Sequence, residues 1–408
     1  MNRVHRSRVS LRAGQPRLAR PLRGVCLLAL GMGAGAMSAC GGDSQSPATQ
    51  EEPATAGCRD GTLSQTGALY RVCFPTDWNG DLVVYAHGYV SADEPLAIPD
   101  DQVQGQSIAQ VVNGLGYGYA TTSYRANGLV ADEATLDVAQ LVEEVRQRFT
   151  PDPSRSFIVG VSEGGLVAAL AAEQRPDLFD GALAACGPVG DFAAQIDYLG
   201  DFRVLFDYFF PGVIPGGPVD VPDTVRAQWN SVFAPKVTAA IQADDQATLE
   251  LLTVAGAPHD AEGLQLAGTT VLDVLWYDIF ALPDARQRLG GQPYDNVGRV
   301  YQGSSDDVAL NAGVTRVAAD PAGRSGLGAF EASGAITVPV GTLHTTGDPI
   351  IPSAQEGAYA AKVAAKGASA LLQQQLPDRY GHCTFTGAEV LTAFGAVTSR
   401  AAAARRVD

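Results

Sequence analysis

Ser156-Phe157-Ile158-Val159-Gly160-Val161-Ser162-Glu163-Gly164-Gly165 is the stretch on which the fold turns. A short apolar, β-branched run leads straight into a serine, and good helix formers, Leu166 to Ala172, follow it. The string G-x-S-x-G is weak evidence in a chain with 46 glycines. Its setting, where a predicted strand becomes a predicted helix at about 163–175, gives it weight. A turn this tight forces strained backbone on the serine and leaves no room for flanking side chains. Glycine at 160 and 164 removes that clash and leaves the Ser162 hydroxyl exposed at the strand end. The helix N-terminus also aims backbone N–H groups at negative charge that develops beside the serine.

Working outward, strands and helices alternate. Asp81 to Ala86 is a β-rich run ending at His87-Gly88-Tyr89; a short helix is predicted over 107–115 and a strand over 119–124. Apolar residues at 138, 141, 142, 145 and 149 mark one face of an amphipathic helix. A strand at 182–185 follows the serine helix. This alternation predicts a mainly parallel sheet flanked by helices. The pattern then breaks over about 187–333 and resumes with a strand at Ile336 to His344, a helix near 353–366, a strand near 370–376 and a last helix from about 387. The interruption is domain-sized, mostly helical by pattern and rich in aromatics such as Trp229, Trp276, Tyr277 and Phe280. Aromatics at helical spacing read first as the core of a cap and second as the wall of an apolar cleft.

A serine hydroxyl is a poor nucleophile at neutral pH and needs a base to take its proton. Of the five histidines, His5 is in the N-terminal leader, His87 follows an early strand, His259 lies in the interruption and His344 belongs to a strand. His382, in Arg379-Tyr380-Gly381-His382-Cys383 after the last predicted strand, is the candidate base. An acid that orients it is expected after the preceding strand, where Gly347-Asp348-Pro349 makes a rigid turn. Asp378 is the rival, and a surface turn explains it more simply.

Ser162, Asp348 and His382 stand in the order nucleophile, acid, base, and in that order the chain resembles the α/β-hydrolase superfamily across residues 58–408. It is similar to secreted bacterial serine esterases and, more loosely, to prolyl-oligopeptidase-type hydrolases. The resemblance implies a core of residues 58–186 and 334–408, with 187–333 as a cap inserted after the sixth strand. It implies that His87-Gly88-Tyr89 is the oxyanion loop, with the backbone N–H groups of Tyr89 and Glu163 as donors and His87 structural. It implies an ester substrate, small or oligomeric, and no cofactor. A peptidase of the same fold stays open, for which Asp306, Asp307 or Glu331 would hold a substrate amine; a non-catalytic binding protein is disfavoured because all three triad residues are present. The resemblance also sets Cys186 on the same rim as the histidine loop, so that a Cys186–Cys383 bridge would pin that loop.

Composition excludes other classes. Apolar residues make up 46% of the chain and mean hydropathy is near zero, which fits a packed globular domain. The first 39 residues hold seven arginines and no acid; the remainder has 21 basic against 44 acidic residues, a net −23 that repels phosphate backbones and argues against nucleic acid as a partner. Residues 1–39, with an apolar run at Val25 to Leu30 and small residues before Cys40, resemble a bacterial lipoprotein export signal. Lipidation of Cys40, a flexible tether over 40–57 and a cell-envelope location follow as expectations, with a lipid anchor as the membrane contact. Export leaves Cys58, Cys73, Cys186 and Cys383 in an oxidising compartment, which suggests two disulfides. Three pairings are possible. Cys58–Cys73 is favoured and would contribute roughly 3 kcal/mol through loop entropy. No cysteine or histidine spacing suggests a metal site.

Overall fold

Strands buried on both faces are largely apolar, and Asp81–Ala86 and Gly181–Ala185 are buried at every position, the one charge, Asp81, being paired with Arg155. They belong to an eight-stranded sheet in the computed structural model, which describes residues 52–53, 56–103, 105–259 and 264–404. The expected export leader, Cys40 and most of the expected tether lie outside the described residues. The strands are β1 (Gly57–Thr62), β2 (Leu69–Phe74), β3 (Asp81–Ala86), β4 (Gly118–Thr122), β5 (Arg155–Val161), β6 (Gly181–Ala185), β7 (Val340–Leu343) and β8 (Leu372–Gln375). Their order in the sheet is 1-2-4-3-5-6-7-8. β2 runs antiparallel to both of its neighbours, and every other pairing is parallel. Register brings Ala86 opposite Gly160 and Ala185 opposite Val161, so β3 and β6 end level with the serine at the tip of β5.

Two departures from the sequence reading have simple causes. The strand expected from Ile336 begins only at Val340, because Pro339 has no N–H to place in the ladder; its carbonyl accepts instead from Ala182 N at 3.0 Å. The β1–β2 hairpin, absent from that reading, sets Cys58 directly opposite Cys73. Those two cysteines are disulfide-bonded in the structure.

Helices α1 (Ile108–Gly114), α2 (Ala131–Arg148), α3 (Glu163–Gln174), α11 (Ala354–Ala365) and α12 (Gly387–Ala404) flank the sheet. Between β6 and β7 come α4 (Phe192–Phe209), α5 (Asp223–Ala227), α6 (Ala234–Ala243), α7 (Asp245–Ala255), α8 (Ala267–Arg288), α9 (Asp307–Gly313) and α10 (Pro321–Gly326). The long pair α4 and α8 pack together around a fully buried Arg203–Asp278 ion pair at 3.2 Å. At the far end of α8, Asp284 accepts from Leu129 N at 2.6 Å, which ties this helix to the loop ahead of α2.

Candidate active site

The β5–α3 turn holds Ser162 at φ 59°, ψ −125°, a conformation that only a heavily constrained turn retains. A Cβ at position 160 would lie 1.7 Å from the Gly164 carbonyl oxygen, and one at 164 would lie 2.0 Å from the Ala86 carbonyl oxygen. Both glycines are therefore demanded by contact with backbone. Gly88 approaches from another side less tightly, where a Cβ would stand 3.2 Å from that of Ser162.

Three loops meet at this serine. His382 Nε2 is 2.9 Å from Ser162 Oγ, and His382 Nδ1 is 2.7 Å from Asp348 Oδ2. Asp348 is fully buried, and its other oxygen accepts from Ile350 N and Ile351 N at 2.9 and 3.0 Å. The rival Asp378 is elsewhere: it accepts from the Thr346 hydroxyl at 2.9 Å on the exposed side of the same loop. The acid and base loops are zipped together by Gly347 N to Arg379 O and Gly381 N to Gly347 O, both 3.0 Å. From the insertion, Gln195 and Tyr198 on α4 donate to Ile350 O and Pro349 O at 2.8 and 2.7 Å and fix the acid loop. Cys383, next to the histidine, is disulfide-bonded to Cys186 at the end of β6.

Behind Asp348 lies a residue the sequence reading set aside as part of a strand. His344, with no exposed surface, has Nε2 3.4 Å from Asp348 Oδ2 and 2.9 Å from the Ile351 carbonyl, and Nδ1 3.3 Å from Glu356 Oε1 on α11. Burial alone would lower the His344 pKa, but contacts with the two carboxylates outweigh it and push the value up to about 10. Burial likewise works to raise the Asp348 carboxyl, and the bonds from His344 and His382 overcome it and hold it far below the usual carboxylate range. Hydrogen bonds thus run from Ser162 through His382 to Asp348, and ionic contacts at 3.4 and 3.3 Å extend from Asp348 through His344 to Glu356.

Tyr89 and Glu163 both line a half-enclosed apolar cavity at Ser162, and neither backbone N–H donates to a protein acceptor among the described residues. His87 does not face the serine. It is buried, stacks on Tyr124 at 4.0 Å between ring centroids, and has Nδ1 2.7 Å from the Gly88 carbonyl. The Glu163 carboxyl turns away from solvent to accept from Val130 N at 2.8 Å, at the start of α2. Burial drives its pKa from 4.5 up to about 8, against the Val130 bond and the Arg288 charge. An acid whose pKa is raised by folding stabilises the fold fully below its unfolded value, and that contribution is lost as pH rises through about 8. Melting temperatures measured from pH 4 to 9 are expected to fall with pH more steeply in the wild type than in Glu163→Gln, which keeps the acceptor without the titration. Parallel profiles would show that Glu163 does not titrate there.

The cavity at Ser162 has a volume of about 60 Å³ and is walled by Leu129, Phe192, Ile196, Leu199, Ile350 and Ile351 among others. A wider cleft of about 490 Å³ opens on the His382 side, against α8. Tyr277 and Ile350 border both. Among the insertion's aromatics, Phe192, Trp276 and Tyr277 do line cavities, whereas Phe202 and Phe206 are core. The three acids considered for holding an amine line neither cavity. Asp306 caps α9, Asp307 accepts from Ser304, and Glu331 accepts from Phe192 N and pairs with Lys362. Cys186, His382 and Cys383 are the one group of potential metal ligands within mutual reach among the described residues, and both of its sulfurs are spent in the disulfide.

A 1-2-4-3-5-6-7-8 sheet with β2 reversed, a serine on the strand-to-helix turn after β5 and a helical insertion after β6 define the α/β-hydrolase fold, and this chain has it. The model of the prolyl oligopeptidase family matches residues 107–197, from α1 through the serine turn into α4. No curated protein matches the sequence. Similar solved structures include the Pyrococcus furiosus esterase Pf2001 (11% identity, 88% of this chain and 99% of that one, TM-score 0.45). Feruloyl esterase B from Aspergillus oryzae is another (15%, 80% and 72%, TM-score 0.44). The acylaminoacyl peptidase of Pyrococcus horikoshii is a third, at 13% identity and TM-score 0.39, with 80% of this chain covering 38% of that one.

Proposed function

We propose that the protein is a serine hydrolase of carboxylic esters, exported and held at the cell envelope through a lipid on Cys40. The observation that carries the catalytic reading is the unbroken contact from Ser162 Oγ through His382 to Asp348, at 2.9 and 2.7 Å. Ser162 Oγ bonds to the ester carbonyl carbon while its proton passes to His382 Nε2. The carbonyl oxygen takes up negative charge beside the Tyr89 and Glu163 N–H groups, each such donor being worth about 3 kcal/mol. Asp348 fixes the His382 tautomer and balances the imidazolium. The bond to the alcohol oxygen then breaks and that oxygen takes the proton from His382. Water, deprotonated by His382, attacks the acyl-enzyme; the acid leaves and Ser162 regains its proton. His382 handles every proton, so the chemistry calls for no cofactor. Two disulfides in the fold support export.

The acyl group is assigned to the half-enclosed cavity, because the oxyanion donors line it. Its 60 Å³ holds roughly four to six water-sized groups. On a p-nitrophenyl ester series kcat/KM is therefore expected to peak at acetyl to butyryl and to fall on the order of tenfold by octanoyl, as overpacking costs outgrow the gain per methylene. A rise continuing to octanoyl would refute this acyl assignment. The match to a peptidase family favours a second reading, and aminoacyl p-nitroanilides in the same assay decide it: faster turnover of anilides than of esters would replace esterase by peptidase.

A further inference from the structure

Helical spacing brings Asp273, Trp276 and Tyr277 onto one face of α8, and that face borders the cleft beside His382. The cleft is also lined by Tyr380 and Thr384 from the histidine loop. The general acid must hand its proton to the leaving oxygen, so the alcohol departs on the His382 side, into this cleft, while the acyl group occupies the half-enclosed cavity across Tyr277.

Asp273 is the one carboxylate lining that cleft among the described residues. It makes no hydrogen bond and no ion pair among them, whereas the half-buried acids Glu143, Asp207 and Asp284 each pair with arginine. The charged groups that act on it are His382 and Asp348, at the site itself. Burial raises its pKa, and the His382 charge works in the opposite direction. A partly desolvated carboxylate without a counter-cation, beside the indole of Trp276 and the ring of Tyr380, has the makings of a cation site: the carboxylate supplies charge and the aromatic faces supply cation–π attraction.

We propose that the cleft takes an alcohol moiety bearing an ammonium group, with Asp273 as its counter-ion and Trp276 as its aromatic wall, so that the protein selects esters of amino-alcohols. The proposal rests on the serine hydrolase reading and adds to it the class of leaving group. Asp273 takes no part in bond making and sets specificity through binding.

The test compares two butyrate esters of equal shape, butyrylcholine and its uncharged isostere 3,3-dimethylbutyl butyrate, on wild type and Asp273→Asn. Wild type is expected to favour the cationic ester at least tenfold in kcat/KM, mostly through KM, with the preference shrinking as salt is raised. In Asp273→Asn the preference is expected to fall to about twofold or less. The ratio of two specificity constants within one variant cancels any general loss of activity or folding. Turnover of both esters by wild type at equal efficiency, or a preference that survives in Asp273→Asn, overturns the cation site and leaves the hydrolase reading intact. No turnover of either ester, together with no fluorophosphonate labelling of Ser162, overturns both.

Discussion

Ser162→Ala is expected to lower kcat/KM on p-nitrophenyl butyrate by about 10,000-fold to a million-fold and to abolish covalent labelling by a fluorophosphonate. The size follows from what is removed. Without Oγ no acyl-enzyme forms, and the remaining N–H donors and cavity can only assist a direct attack by water. The fold should tolerate the change, because the strain at φ 59° is imposed by the Gly160, Gly164 and Ala86 contacts and not by the hydroxyl. Alanine at a positive φ costs on the order of 1–2 kcal/mol, as serine already does. Labelling that persists in Ser162→Ala would sink the assignment of the nucleophile.

Asp348→Asn is expected to reduce kcat by about 10,000-fold with little change in KM, because an amide facing His382 Nδ1 favours the wrong tautomer. The rival carboxylate gives the control. Asp378→Asn removes only the charge of an acceptor for an exposed threonine and is expected to stay near wild type; a reversal of the two results would transfer the role of the acid to Asp378. The same substitution has a second readout, since Asp348 is also a counter-charge for His344. A histidine raised to about 10 contributes stability that is fully present below 6.5 and is lost as pH rises through 10. With Asp348 neutral, one of the two carboxylates that hold the imidazolium is gone, so above pH 6.5 the loss of melting temperature should be smaller and should end at a lower pH in Asp348→Asn. Identical alkaline profiles would show that His344 is not charged against Asp348.

The sheet, and the meeting of Ser162, Asp348 and His382 at the end of β5, were legible because each is written in local sequence: a β-branched run, a glycine-flanked serine, a Gly-Asp-Pro turn, and their order. What escaped depends on contacts that no local pattern carries. His344 looks like any strand residue until α11 brings Glu356 to one face of it and the following turn brings Asp348 to the other. Asp273 carries no local signal, and Tyr277 was one of several aromatics read as cap core or cleft wall; contacts such as that of Asp284 with the Leu129 amide fix which face of α8 meets the serine. Asp306, Asp307 and Glu331 show the converse: chemically suitable acids whose hydrogen bonds commit them to helix starts and loop amides. The hairpin formed by β1 and β2 escaped for a similar reason, since antiparallel pairing across a short loop is a relation between two segments and β1, Gly-Cys-Arg-Asp-Gly-Thr, is not apolar on its own.

The bond between Cys186 and Cys383 joins positions 197 residues apart, one just ahead of the helical insertion and the other just past the base. Topologically it turns everything between them, the insertion, the acid and the base, into a ring closed on the sheet. A single cut in the main chain anywhere in that ring opens a loop without releasing a fragment: the piece bearing Ser162 and the piece bearing His382 remain covalently joined through sulfur. Where a peptidase nicks an exposed connection between helices, this lets a clipped molecule keep its parts together, and it makes the chain's covalent integrity depend on a reductant as well as on a protease.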